Sequence, residues 1–279
     1  MTSPRRYAQI DVFSAVPYRG NPVAVLLDAD DVDTEAMQRV ARWTNLSETT
    51  FILPPASPEA DYRLRIFTPN RELPFAGHPT LGSARAWLHH GGMPRVPGRI
   101  VQECGAGLVE LRHEGDLVSF AAPPLLRTGP LDDADLARFV EAFGIAPEQV
   151  VGHQWVDNGP GWAVLQLASA EEVLALTPDF SRVPDAMVGA VGAYPEGAPH
   201  AFELRSFAPG VDVPEDPVCG SMNASVAQWL TGTGQAPDRY LVSQGARLGR
   251  AGEIAIAVEG DTVWVGGATA VCFTGTANL

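Results

Sequence analysis

The sequence predicts an α+β protein built from two related halves, and two observations carry that reading. One pattern occurs twice: Leu64-Arg65-Ile66-Phe67-Thr68-Pro69, a loop ending Phe75-Ala76-Gly77-His78-Pro79-Thr80, then an apolar helix through Trp87-Leu88. Its second copy is Leu204-Arg205-Ser206-Phe207-Ala208-Pro209, a loop ending Glu215-Asp216-Pro217-Val218-Cys219-Gly220-Ser221, and a helix through Trp229-Leu230. The flanks repeat as well, which makes chance similarity a poor explanation.

Ahead of the motifs, the apolar runs at 21–27 and 160–167 pair loosely as strands. Asp33 is placed to cap a helix running through Val40. Behind the motifs, residues 108–118 and 254–263 alternate apolar positions on both sides of a Gly-Asp pair, Gly115-Asp116 and Gly260-Asp261, as a hairpin requires. Each half therefore reads strand, helix, strand, motif, helix, hairpin. Setting Trp87 on Trp229 places Gly77-His78 against Cys219-Gly220. Thr231-Gly232-Thr233-Gly234 follows a helix and reads as a helix stop, not as a dinucleotide loop. Pro123-Pro124 and the polar stretch 127–135 suit a linker, so the expected domains are residues 1–125 and 126–279, with the last strand able to return to the first.

A length of 279 residues with 46% hydrophobic content suffices for two cores. A formal net charge of -14, with no basic cluster interleaved with aromatics, opposes nucleic acid as a partner. No apolar run is long enough to span a bilayer, and residues 1–6 lead into a strand without a signal-peptide core, so a soluble cytoplasmic protein is expected. Cys104, Cys219 and Cys272 are odd in number and form no CxxC pair, against a disulfide framework or a structural zinc site. Asp28, Asp30, Asp31, Asp33 and Glu35 lack the spacing and the glycine of a calcium loop.

Both motifs end at a helix N-terminus, judged from Pro79-Thr80 and Ser221 followed by apolar residues at helical spacing. The free N–H groups and dipole of such an end bind an anion, and Gly77 and Gly220 let a ligand approach the backbone. Two such ends facing across a cleft could hold a carboxylate, which makes a small-molecule carboxylate the expected partner. The competing reading is a pair of ordinary capping turns.

Taken together, Arg19-Gly20-Asn21-Pro22, Asn45-Leu46-Ser47-Glu48-Thr49-Thr50-Phe51, the two motif loops, Val242-Ser243-Gln244-Gly245 and Gly249-Arg250 resemble the phenazine-biosynthesis PhzF family over nearly the whole chain. The resemblance implies a diaminopimelate-epimerase-like fold: two pseudo-symmetric domains, each a mostly antiparallel sheet curled around a central helix, with the active site in the cleft between them. It also implies isomerisation of dihydro-3-hydroxyanthranilate by moving a proton between ring carbons, no metal or organic cofactor, and self-association into a homodimer.

Position by position, the resemblance makes Glu48 the acid/base carboxylate, His78 a substrate-holding or proton-relaying histidine, and Asp216 the second carboxylate, which contacts the substrate amino group or steadies a protonated neighbour. Leu46, Phe51 and Ile52 beside Glu48 suit a partly dry site that would raise its pKa. Ser47 would contact substrate or orient Glu48, and Gly77, Gly220 and Ser221 would hold the substrate carboxylate. Each has a structural alternative: a solvated turn glutamate, a loop histidine, a helix cap at Asp216, a turn serine. Cys219 stands where many family members have Thr, and fold-related racemases use a cysteine pair. Here the partner position near Gly77 has none, so Cys219 is either a small buried substitute in the substrate-binding loop or the second base of a racemase with Glu48. A non-catalytic binding protein is the third reading.

Overall fold

The computed structural model describes residues 3–279. They form two compact units: residues up to Ala121 together with Gly266–Leu279, and Ala122–Val265. The first holds β1 (Pro4–Val12), β2 (Asn21–Leu26), α1 (Thr34–Thr44), β3 (Thr49–Leu53), β4 (Tyr62–Phe67), β5 (Glu72–Leu73), α2 (Gly77–His89), β6 (Arg99–Cys104), β7 (Gly107–Glu114) and β8 (Leu117–Ala121). The second holds α3 (Asp133–Phe143), β9 (Val150–Trp155), β10 (Ala163–Leu167), α4 (Ala170–Ala175), β11 (Val188–Ala193), β12 (Phe202–Ala208), β13 (Val213–Asp216), α5 (Gly220–Gly232), β14 (Arg239–Gln244) and β15 (Gly252–Glu259). The last strand, β16 (Thr262–Asn278), begins in the second unit and finishes in the first.

In the first unit the strands run β1-β2-β3-β4-β6-β7-β8, and β16 lies beside both β8 and β1, which closes an eight-stranded barrel. From β1 to β8 the neighbours are antiparallel except β2 with β3 and β4 with β6, and β16 is antiparallel to β1. The second unit repeats the plan as β9-β10-β11-β12-β14-β15, and its parallel steps fall at the equivalent places, β10 with β11 and β12 with β14. The short β5 and β13 pair on β4 and β12 and carry the chain into the motif loops. Strand β8 stops ahead of Pro123-Pro124, which cannot donate to a ladder. Beyond them the chain runs along β9, where Trp155 N–H donates to the Gly129 carbonyl at 2.8 Å.

The repeated Arg has a repeated job. Arg65 makes a two-pronged pair with Glu72 at 2.7 and 2.6 Å, and its guanidinium lies 5.1 Å from the Phe67 ring. Arg205 does the same with Glu215, both bonds at 2.8 Å, and lies 5.0 Å from the Phe207 ring. Each pair pins the short motif strand to its neighbour.

Helix α1 begins as its sequence requires: Asp33 Oδ1 accepts the Ala36 N–H at 2.7 Å. It continues past Val40 to Thr44 and stops at Asn45, which takes the left-handed conformation at φ 55°. Met37 and Ala41 face a cluster of Leu26, Phe51 and Phe67 on one side of the sheet. Helix α2 packs against β1, β2, β3, β4 and β8, and it is buried on all sides from Gly77 to Ala84, which suits its small residues. A Cβ on Gly82 would sit 2.3 Å from Val23 Cγ1 and 3.0 Å from Val12 Cγ2. Gly82→Ala is therefore expected to lower stability by about 2 kcal/mol, overpacking outweighing the better helix propensity of Ala. Urea unfolding midpoints check this against Gly275→Ala, whose Cβ meets nothing within 4 Å and which should shift the midpoint little.

The helices start at Gly77 and Gly220, each earlier than the first residues that mark them in sequence. Counted from those starts, Gly77 matches Gly220 and Ala76 matches Cys219, one residue off the register that pairs the two tryptophans. Among the described residues no helix is long and apolar enough to cross a membrane.

Candidate active site

The first unit brings Glu48 and His78 together although thirty positions separate them. Glu48 immediately precedes β3, after the Leu46-Ser47 bend, and His78 is the second residue of α2. Glu48 Oε2 lies 3.2 Å from His78 Nε2, with the side chains 14% and 4% exposed, so Glu48 is not the solvated turn residue of the structural alternative. Ser47 is half-buried beside it. Burial pushes the His78 pKa down to about 3, against the opposing effect of its hydrogen bond with the Pro22 backbone. The ring is thus neutral near pH 7, and the pair is a carboxyl group against a neutral imidazole rather than an ion pair. On its other edge, His78 Nδ1 lies 3.4 Å from Asn21 Nδ2.

That contact explains Arg19-Gly20-Asn21-Pro22. Asp11 Oδ2 accepts the Arg19 and Gly20 N–H groups at 2.8 and 2.9 Å, turning the chain into β2. A Cβ on Gly20 would lie 2.1 Å from the Val12 carbonyl oxygen, so only glycine lets the strand pass. Asn21 and Pro22 then reach the histidine. The first turn of α2 follows Ala76, which offers no side-chain cap, so its N–H groups are left for another acceptor.

In the second unit Asp216 ends β13, and its Oδ1 accepts the Val218 N–H at 3.1 Å. It is not the helix cap: that position belongs to Cys219, again without a side-chain cap bond. Burial raises the Asp216 pKa to about 6, with Glu215 adding to the rise, while the Val218 N–H and the Cys219 thiol oppose it. The loop hangs on Gln244, 1% exposed, whose Oε1 accepts from Cys219 N–H at 3.1 Å and Asn223 Nδ2 at 2.8 Å. Its Nε2 donates to the Asp216 carbonyl at 3.1 Å and Ser206 Oγ at 3.3 Å. Ser221 is held by Trp162 Nε1 on its hydroxyl at 2.9 Å and by Asn158 Nδ2 on its carbonyl at 3.0 Å. Cys219 is buried, and its Sγ lies 3.5 Å from Ser221 Oγ.

Raised carboxyl pKa values have a stability signature. The protonated Asp216 is favoured in the fold, so its contribution is complete below about pH 4 and is lost as pH rises through about 6. The loss is at most about 3 kcal/mol at 1.36 kcal/mol per unit, and less because the side chain keeps some exposure. Asp216→Asn is expected to flatten the fall in unfolding free energy between pH 4 and 7, measured by urea titration across that range.

The sequence places Ser47, Glu48, Gly77 and His78 in one unit and Asp216, Cys219, Gly220 and Ser221 in the other, each set beside the start of its central helix. Sequence reasoning missed Asn21, Gln244, Trp162 and Asn158 as supports. Asn21 and Gln244 lie in motifs already visible, but the partner of a buried amide has no local signal. The acidic stretch is spent on structure: Asp28 pairs with Arg6 at 2.6 Å, Asp31 pairs with Arg5, and Asp33 caps α1. Among the described residues no three His, Cys, Asp or Glu side chains are placed to hold a metal.

The chain is 40% identical over 290 residues to Antisense-enhancing sequence 1 of Schizosaccharomyces pombe (strain 972 / ATCC 24843), covering 96% of this chain and 97% of that one. It is 36% identical over 247 residues to trans-2,3-dihydro-3-hydroxyanthranilate isomerase of Pseudomonas fluorescens, covering 88% and 87%. The crystal structure of a phenazine biosynthesis protein of the PhzF family from Enterococcus faecalis superimposes with a TM-score of 0.82 at 25% identity, covering 99% of this chain and all of that one. The phenazine biosynthesis-like family, PhzC-PhzF, matches residues 10–279, and the chain belongs to it.

Proposed function

We propose that this protein is an isomerase that moves a proton between carbons of a small cyclic amino or hydroxy acid resembling dihydro-3-hydroxyanthranilate, with Glu48 as the shuttle. The observation that carries the reading is the 3.2 Å approach of Glu48 to a buried histidine held neutral. Moving a proton from one carbon to another leaves formula, charge and oxidation level unchanged, so the step asks for one group that takes the proton and returns it. A carboxylate in a partly dry site does that, and a neutral imidazole beside it adds no positive charge that would hold the carboxyl ionised. His78 therefore steadies Glu48 rather than carrying the proton itself. The uncapped first turns, with Gly77, Gly220 and the Ser221 backbone, supply N–H groups for the substrate carboxylate. Asp216 takes the substrate amino group, ionised above its raised pKa of about 6 and hydrogen-bonding there as an acceptor. Relatives named trans-2,3-dihydro-3-hydroxyanthranilate isomerase support the choice of ring acid.

The test is NMR of the protein in deuterium oxide with trans-2,3-dihydro-3-hydroxyanthranilate and a panel of amino acids. Conversion of the ring acid with deuterium entering at carbon is the expected result. Exchange confined to the α-carbon of an amino acid would replace the isomerase by a racemase, and no exchange with any compound would leave the protein a binder.

A further inference from the structure

Gln244, the last residue of β14, is buried and spends its whole amide on the loop between β13 and α5. Its Oε1 accepts from Cys219 N–H and Asn223 Nδ2, and its Nε2 donates to the Asp216 carbonyl and Ser206 Oγ. Two acceptor and two donor positions are all that a primary amide has. Two of the partners are backbone groups of fixed polarity, since an N–H only donates and a carbonyl only accepts. They force one orientation of the amide, and they lie on either side of Pro217-Val218, so one side chain spans the loop from Asp216 to the start of α5. Asn223 ties the same loop from the helix side: its N–H and its Nδ2 both donate to the Cys219 carbonyl, at 3.1 and 2.9 Å.

The first unit provides a comparison. Tyr62 faces Gln102 and Arg63 faces Glu103 across β4 and β6, as Phe202 faces Val242 and Glu203 faces Ser243 across β12 and β14. Cys104 therefore stands in the first unit where Gln244 stands in the second, and a thiol cannot present two donors and two acceptors. The amide on that strand, Gln102, bonds side chains instead, Tyr62 Oη and Thr80 Oγ1, both at 3.0 Å. The next residue is glycine in both units, pressed on the proline of its motif loop: a Cβ would lie 2.8 Å from Pro74 Cα on Gly105 and 2.5 Å from the Pro217 carbonyl oxygen on Gly245. Packing of strand end on loop thus recurs without the amide. What differs is the cargo, because Glu48 and His78 lie outside the first motif loop whereas Asp216 lies within the second.

We propose that Gln244 is a positioning residue that holds Asp216 in fixed register with the start of α5 and takes up the Cys219 N–H, leaving those of Gly220 and Ser221 to meet the substrate carboxylate. The assignment rests on the proton-transfer reading for the identity of the substrate. A helix start has four N–H groups without a partner inside the helix, and here the one on the capping residue is spent on the amide. The anion is therefore met from within the first turn, at a set distance from the carboxyl that takes the amino group.

The test compares Gln244→Met and Gln244→Glu with Phe139→Leu, a control that loosens the buried face of α3 without touching the loop, at a temperature where all are folded. The probe is 3-hydroxyanthranilate, an aromatic ring acid that keeps the carboxylate and amino group, with its Kd read by calorimetry. Gln244→Met is expected to raise this Kd, and KM for the ring acid, about tenfold to a hundredfold, the worth of one or two hydrogen bonds, with a smaller change in kcat. Phe139→Leu should leave all three unchanged. Gln244→Glu keeps both acceptor positions but, ionised, has no proton for the Asp216 carbonyl. Its Kd should match that of Gln244→Met at pH 8 and approach that of the natural protein at about pH 5, where a protonated carboxyl donates again, while Gln244→Met gains nothing relative to the natural protein. In amide NMR spectra the probe should shift Gly220 and Ser221 and leave Cys219, slow to exchange with solvent, in place. A Kd unchanged in Gln244→Met overturns the proposal, as does an equal rise in Phe139→Leu, a Cys219 amide that follows the probe, or failure of the natural protein to bind it. Binding and amide exchange need no turnover, so the expected results without conversion of the ring acid would overturn the isomerase reading and leave the role of Gln244 standing.

Discussion

Glu48→Gln is expected to remove turnover by about two to four orders of magnitude while leaving the protein folded, the full range of general acid–base catalysis by one group. The amide keeps the size of the side chain and a polar atom facing His78 Nε2, now 3.2 Å from the carboxylate oxygen, so packing changes little. What it loses is the ability to accept a proton from carbon and return it. His78→Gln should be milder, by about tenfold to a hundredfold, because it removes a neighbour and not the proposed shuttle. The measurements are kcat with the ring acid, deuterium entry at carbon, and thermal unfolding of each variant. A Glu48→Gln enzyme keeping a tenth of its rate with an unchanged melting curve would remove Glu48 from the chemistry.

Arg205→Met is expected to cost about 3–5 kcal/mol of stability, the price of breaking a buried pair on one side. Arg205 is 4% exposed and its partner Glu215 13% exposed, and Arg205 Nη1 also donates to the Val173 and Leu176 carbonyls at 3.2 and 2.7 Å. Removing the guanidinium strands a half-dry carboxylate next to Asp216 and two carbonyls at the end of α4. The repeat supplies its own control. Arg65 and Glu72 make the same two-pronged contact at 17% and 39% exposure, where water can replace the lost partner. Arg65→Met should therefore cost about 1 kcal/mol or less. Urea unfolding of the two variants compares them directly, and Arg205→Met/Glu215→Gln should recover much of the loss by removing the stranded charge. Equal costs for the two arginines would show that burial does not set the worth of these pairs. Because Glu215 adjoins Asp216, Arg205→Met should also raise KM more than it lowers kcat.

What could be read from the chain follows from how far each signal reaches. Asp33 caps its helix because a cap needs a side chain and an N–H three residues apart. The Gly-Asp turns, the strand alternation and the doubled Leu-Arg-x-Phe motif are equally local, so periodicity and turn chemistry determined the elements and the α+β class. The motif residues were legible as a set because two copies sit beside two helix starts. The tertiary structure decided matters that depend on which distant atoms displace water. It set the helix starts at Gly77 and Gly220, which makes Ala76, not Gly77, the position equivalent to Cys219 in the repeat. It kept His78 neutral and raised Asp216, since desolvation is a property of the surroundings and not of the residue. It also recruited Asn21, Trp162 and Gln244, whose hydrogen-bond partners lie between 21 and 59 residues away in sequence. A buried polar side chain must find a partner, but its own stretch of sequence does not say which one.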